Sequence, residues 1–269
     1  VSALPYRLCA IDLDDTLLNP EHQISPRNAQ AVRALVERGV IVLIASGRMY
    51  QATLRYAEQL DLATPIIAYN GAMVRNPRTE EVWLHEQIPA DLATTVLDYC
   101  AEHHLQLNFY LNDLLYSAAY TPWLQLYHER TQSPIKLLPD FYTAVRGERP
   151  TKLIIVDSPE ATDALLPYFR DVFGSGLYVT KSNNEYLEFM PPTANKGAAL
   201  ELTAARLGVT AEETIAFGDS WNDIPMLRWA GLGVAVGNAK PEVISAADRT
   251  IGRSEDDGVG IALEEIFQL

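Results

Sequence analysis

Six consecutive apolar residues, Val40–Ala45 (VIVLIA), constrain this chain more than any other feature. A strand without a polar face must be covered on both sides, as a parallel strand is when helices flank its sheet. The surrounding sequence agrees. Leu8–Leu13 (LCAIDL) is another short apolar run, and it ends among carboxylates. Ser25-Pro26 opens a helix, with serine as N-cap and proline at the first helical position. Ala29, Val32, Leu35 and Val36 follow at helical spacing, and Gly39 stands where a helix stop is wanted. Arg48–Leu60 reads as a helix and Pro65–Tyr69 as a third strand. This alternation predicts a doubly wound, Rossmann-like parallel sheet of the α/β class.

The rhythm changes after Asn70-Gly71. Met73–Gln87, broken by Asn76-Pro77, reads as a hairpin, and the strands from Pro89 to Met190 are shorter. Leu105–Leu111 and Leu114–Ala118 flank a two-residue turn signal at Asn112-Asp113. Leu153–Val156, Leu177–Thr180 and Tyr186–Phe189 are further strands, with a helix over Pro159–Phe173. The mixture predicts an α+β unit with a largely antiparallel sheet. Pro89 and Pro191-Pro192 bracket it as stiff connections. Alternation then returns with helices over Ala194–Leu207, Ser220–Trp229, Lys240–Ala247 and Gly258–Phe267, and strands at Thr214–Gly218 and Gly231–Val236. The expected organisation is one discontinuous α/β domain, 1–88 with 191–269, interrupted by an inserted domain over 89–190.

Composition narrows the function. The 269 residues carry 21 Lys+Arg against 35 Asp+Glu, a net charge of −14, which repels phosphate backbones and argues against nucleic acid as a partner. A small phosphorylated ligand is still compatible, because a divalent cation inverts the local field. No apolar stretch approaches the ~20 residues that span a bilayer. Val1–Arg7 lacks the apolar run of a signal peptide, and two cysteines, Cys9 and Cys100, suit a reducing compartment. The expectation is a cytoplasmic protein with no membrane partner, working as a monomer or homodimer.

Open α/β sheets bind ligands at the carboxyl ends of their strands. Asp12 and Asp14 close the first strand, Ser46 closes the second, and Asp219, Asn222 and Asp223 follow the strand Thr214–Gly218. Lys196 lies near the start of the helix after the insertion. Three carboxylates in one crevice repel one another unless a cation joins them, and oxygen ligands suit Mg2+ better than zinc. Metal, lysine, hydroxyl and carboxylate are the components of phosphoryl transfer, which a carboxylate nucleophile divides into two easier steps.

These motifs resemble those of the haloacid dehalogenase-like superfamily. Asp12-Leu13-Asp14-Asp15-Thr16-Leu17 matches its DxDxT signature, and Ser46-Gly47-Arg48, Lys196-Gly197 and Gly218-Asp219-Ser220-Trp221-Asn222-Asp223 resemble the remaining three motifs in their usual order. The long insertion between the second and third motifs, Asn70-Gly71-Ala72 and Gly237-Asn238-Ala239 resemble the Cof-type sugar phosphatases. The resemblance spans the chain and implies a catalytic core with a cap domain that reads the leaving group. It implies Asp12 as nucleophile and Mg2+ ligand, and Asp14 as general acid, then general base, with its backbone carbonyl on the metal. Asp219 would also ligate, while Asp223 would hold the metal's waters or orient Lys196. Ser46, the Gly47 N–H, Lys196 and Asn222 would bind phosphoryl oxygens. At position 15 the chain has Asp where Gly is common in the family; Asp tolerates turn conformations, so the turn is expected to survive.

The leading expectation is a Mg2+-dependent phosphoric monoester hydrolase for small phosphorylated metabolites, with sugar phosphates first. A phosphomutase and a catalytically silent metabolite-binding regulator are the alternatives. Tyr110, Tyr116, Tyr120, Trp123 and Tyr127 read as core packing of the insertion ahead of a stacking surface. Asn70 reads first as a turn residue.

Overall fold

The computed structural model describes residues 4–269. The chain begins with β1 (Leu8–Ile11), α1 (Pro26–Glu37), β2 (Ile41–Ile44), α2 (Tyr50–Gln59), β3 (Ile66–Ala68), β4 (Met73–Arg75) and β5 (Val82–His85). Next come α3 (Ala90–His103), β6 (Gln106–Leu111), β7 (Leu114–Ser117), α4 (Pro122–Thr131), β8 (Ile135–Leu137), α5 (Phe141–Ala144), β9 (Lys152–Val156), α6 (Pro159–Phe173), β10 (Tyr178–Asn183) and β11 (Tyr186–Met190). The last segment holds α7 (Lys196–Leu207), β12 (Thr214–Gly218), α8 (Ile224–Trp229), β13 (Leu232–Ala235), α9 (Pro241–Ala246), β14 (Arg249–Thr250) and α10 (Gly258–Phe267). Two compact units result: the chain up to Leu84 joined by Asn195–Leu269, and His85–Ala194. Pro89 and Pro191-Pro192 fall inside the second unit.

The first unit is built on a five-stranded sheet in the order β14-β13-β12-β1-β2, parallel throughout. Every residue of β1 and β12 is buried, which is why these strands are apolar along their whole length. β1 lies between β2, which follows it in the chain, and β12, which arrives much later. The strand order therefore reverses at β1, and such a switch point opens a crevice beyond the strands' carboxyl ends.

Two expectations need correction. The third strand does not extend the parallel sheet as a full member: β3 pairs antiparallel with β4 in a separate three-stranded sheet and meets the end of β2 through one parallel bridge, Ala45 to Ile67. With three residues before the left-handed Tyr69 and Asn70, it is too short for more. The helix expected over Ser220–Trp229 begins instead as a tight turn, Trp221–Asp223, and becomes α-helical only at Ile224.

The second unit has a six-stranded sheet, β10-β11-β9-β6-β7-β8, antiparallel except where β7 and β8 run parallel. Leu107, Phe109, Leu153, Ile155, Leu187 and Phe189 form a core with residues of α3, α5 and α6. Asn112 and Asp113, both with φ above +50°, make the expected two-residue turn. Tyr110 and Tyr127 are buried, as packing predicts, but Tyr120 is 53% exposed. Pro122–Thr131 forms a helix that the aromatic reading of that stretch did not anticipate; Thr121 caps it by accepting from the Leu124 N–H.

Helices α1 and α10 meet in the first unit through a buried amide. Asn28, 1% exposed, donates from Nδ2 to the Leu17 carbonyl (3.1 Å) and accepts at Oδ1 from the Gly260 N–H (2.8 Å). Asn28→Ala strands both backbone groups, each worth about 1–3 kcal/mol of desolvation penalty. We expect it to lower the unfolding free energy by about 2–4 kcal/mol in urea titrations, and a loss below about 0.5 kcal/mol would mean that water replaces the amide.

Candidate active site

The site is assembled at the carboxyl ends of β1, β2 and β12, all in the first unit. Asp12 follows β1 directly, and its N–H donates to the Phe217 carbonyl (3.0 Å) of β12. The irregular turn Leu13–Leu17 then carries Asp14, Asp15 and Thr16. Asp15 sits at φ 56°, a left-handed conformation that asparagine and aspartate adopt more readily than most residues and glycine most readily of all. The turn survives with Asp, as expected.

Lys196 is the centre of the constellation. Its ammonium donates to Asp12 Oδ1 and to Asp223 Oδ1, both at 2.6 Å, and its side chain is 1% exposed. Glycines bring it there. A Cβ on Gly71 would lie 2.3 Å from the Asn195 carbonyl oxygen, and one on Gly197 would lie 2.6 Å from the Pro225 backbone. The first turn of α7 is thus pressed between the turn after β3 and the start of α8. Asn195 caps α7 by accepting from the Ala198 N–H (2.7 Å).

Asp223 has both oxygens committed. Oδ1 accepts from Lys196, while Oδ2 accepts from the backbone N–H groups of Asp219 (3.0 Å) and Ser220 (2.9 Å). Gly218 makes this fold-back possible, because its Cβ would stand 2.4 Å from that of Asp223. Asp219 accepts at Oδ1 from Thr16 Oγ1 (3.1 Å).

One oxygen from each of Asp12, Asp219 and Asp223 lies within 4.8 Å of the others. Burial, then the Asp223 charge, pushes the Asp12 carboxyl well above the ordinary carboxylate range, and Lys196 only partly opposes this. Burial and Asp223 likewise push Asp219 up to about 7. Burial works against the Lys196 charge, but Asp12 and Asp223 outweigh it and raise its pKa. One ammonium among three clustered carboxylates leaves negative charge uncompensated. Hard oxygen donors of this kind fit a divalent cation such as Mg2+.

Ser46 is fully buried, and its Oγ accepts from the Arg48 N–H (3.1 Å). Gly47 lies against Asn70; a Cβ there would come within 2.7 Å of Asn70 Oδ1. Asn222 donates from Nδ2 to that same oxygen (2.7 Å), and the Asn70 N–H donates to the Ser46 carbonyl (3.1 Å). Asn70 therefore ties the turn at 46–47 to Asn222, a role that its reading as a turn residue missed. The side chain of Asp14 does not join the carboxylate cluster and turns to Arg48 instead. Asn238, within the Gly237-Asn238-Ala239 motif, serves from a distant segment the turn that holds Asp14. It donates to the Asp15 carbonyl (2.7 Å) and accepts from the Ser254 N–H (2.8 Å), bracing the Asp15 turn.

The comparisons with known proteins agree with this geometry. A family model described as haloacid dehalogenase-like hydrolase matches residues 9–263, and the chain belongs to that family. It is similar to 5-amino-6-(5-phospho-D-ribitylamino)uracil phosphatase of Bacillus subtilis, 31% identical over 271 residues that cover 98% of each chain. It is also similar to HMP-PP phosphatase of Serratia proteamaculans, 30% identical over 96% of this chain and 94% of that one. The crystal structure of a haloacid dehalogenase-like hydrolase from Bacteroides thetaiotaomicron superposes with a TM-score of 0.92 at 28% identity, covering 97% of this chain and all of that one. These matches support the expected enzyme class, a phosphoric monoester hydrolase of the Cof type.

Gly218→Ala tests the fold-back of Asp223. The added methyl must displace Asp223 and with it the Lys196 ammonium. Displacements near 1 Å at a reacting centre cost about 100-fold, so kcat for phosphate release should fall by about 10- to 100-fold, with a stability loss of about 1–3 kcal/mol. Unchanged kcat would show that Asp223 does not set the lysine's position.

Proposed function

We propose that the chain is a Mg2+-dependent phosphatase acting on small phosphorylated metabolites, sugar phosphates among them, through an aspartyl-phosphate at Asp12. The observation that carries this reading is the buried Asp12 carboxylate, gripped by Lys196 beside Asp219 and Asp223 at the switch point of a parallel sheet.

In the first step an Asp12 oxygen attacks phosphorus, the new P–O bond forming as the ester P–O bond breaks. Asp14 delivers a proton to the departing oxygen. In the second step water attacks phosphorus, gives its proton to Asp14, and the Asp12–phosphorus bond breaks to release inorganic phosphate. Lys196 offers positive charge to the phosphoryl oxygens beside Asp12, with the Ser46 hydroxyl, the Gly47 N–H and the Asn222 amide as further donors. Asp12, Asp219 and the Asp14 backbone carbonyl would hold Mg2+, which when bound supplies Lewis-acid stabilisation of phosphoryl charge. Asp223, with both oxygens engaged, acts chiefly by orienting Lys196 and adds its charge to the metal site.

The inserted segment 89–190 is the part of this proposal that selects the leaving group. No helix among the described residues is long and apolar enough to cross a membrane. Cys9 and Cys100 are buried thiols whose pKa burial raises, which fits proteins of a reducing, cytoplasmic compartment.

Phosphate release from a panel of sugar and polyol phosphates, with p-nitrophenyl phosphate as reference, tests the reading. The wild type should turn over, stop in EDTA and recover with Mg2+, while Asp12→Asn should be inactive yet melt cooperatively. Turnover insensitive to EDTA, or retained by Asp12→Asn, would refute it.

A further inference from the structure

Arg48 follows the proposed phosphate-binding turn, and its guanidinium is directed at Asp14. It grips Asp14 with two parallel bonds, Nε to Oδ2 at 2.8 Å and Nη2 to Oδ1 at 2.5 Å. The Arg48 side chain is 10% exposed, whereas that of Asp14 is 40% exposed. Support comes from behind. Nη1 donates to Tyr56 Oη (3.4 Å), and the guanidinium carbon lies 5.4 Å from that ring's centroid. The Tyr56 hydroxyl in turn donates to the His22 carbonyl (3.2 Å) and accepts from Arg55 (2.8 Å). The backbone is fixed as well: the Arg48 N–H donates to Ser46 Oγ and its carbonyl accepts from the Tyr69 N–H (2.8 Å). His22 Nδ1, 3.7 Å from Asp14 Oδ1, is a looser neighbour on the other side.

A planar fork braced at both ends fixes the place and the plane of a carboxylate, which a lysine's point charge cannot do. Asp14 is partly exposed, and without the fork its side chain would sample several rotamers. We propose that Arg48 is a positioning residue that sets the Asp14 carboxylate for the second chemical step and acts on the reaction only through it. This rests on the reading of Asp14 given above. In that step the water oxygen bonds to phosphorus, the Asp12–phosphorus bond breaks, and the water's proton passes to the Asp14 oxygen that Arg48 has aimed.

p-Nitrophenyl phosphate separates the steps, because its leaving group departs without a proton and the first step then does not need Asp14. Rapid-mixing kinetics on the full chain with Mg2+ should give, for Arg48→Met and for Asp14→Asn alike, a burst of nitrophenolate near the enzyme concentration. A steady state about 10- to 100-fold slower than wild type should follow. The double variant should be no slower than Asp14→Asn, since the two residues act as one unit. Arg48→Lys, which keeps charge and bulk, should show the same burst with a smaller loss, and it carries the test if Arg48→Met does not fold. A slowed burst phase in the Arg48 variants, or losses that multiply in the double variant, would overturn the proposal and place Arg48 on the phosphoryl group. An Asp14→Asn enzyme with wild-type kinetics would instead remove the reading of Asp14 itself, and the proposal with it.

Discussion

A buried ammonium between two buried carboxylates holds this site together. Taking a lysine out of water is costly unless its charge is matched at close range, and Asp12 and Asp223 supply that match at 2.6 Å each. The requirement runs outward through the fold. The first turn of α7 must come close enough to β1 and β12 to deliver Lys196, which needs glycine at positions 71 and 197. Asp223 must fold back over its own strand, which needs glycine at 218. The same pair leaves the opposite problem at Asp12 and Asp219, where burial and mutual repulsion make ionisation unfavourable. A site whose own cation cannot neutralise it is prepared to bind another.

The topology explains why residues so far apart in the chain meet. β1 and β2 bring Asp12 and Ser46 from the first segment, and β12 brings Asp219 from a segment that resumes after the insertion. Because β12 pairs directly with β1, the insertion interrupts the sequence without separating the strands that carry the chemistry. The insertion closes its own sheet and core. In the proposed function, this lets leaving-group selection vary in that segment while the first unit keeps its own residues fixed.

Much of this was legible in the sequence because α/β architecture places polar residues at strand ends by rule. An unbroken apolar run has to be a covered strand, so Asp12, Ser46 and Asp219 could be assigned to one crevice before any contact was known. Their order and spacing then matched a known family. What stayed hidden depends on contacts between distant segments. Nothing local indicates that Arg48 meets Asp14, or that Asn70 joins Gly47 to Asn222. The Gly237-Asn238-Ala239 motif likewise gives no local sign that Asn238 braces the Asp15 turn. The helix over Pro122–Thr131 did leave a local signal, Thr121 before Pro122, but it is masked by the dense aromatics around it, which read as core packing ahead of a stacking surface.

The central claim is that the side chain at position 12 becomes covalently bonded to phosphorus during turnover. Acid quenching of the enzyme during steady-state hydrolysis, reduction with borohydride and peptide mapping tests this directly. The account predicts modification of Asp12 alone. Phosphate release accompanied by modification at a different residue, or by no trapped acyl phosphate while the first step is the faster one, would contradict it.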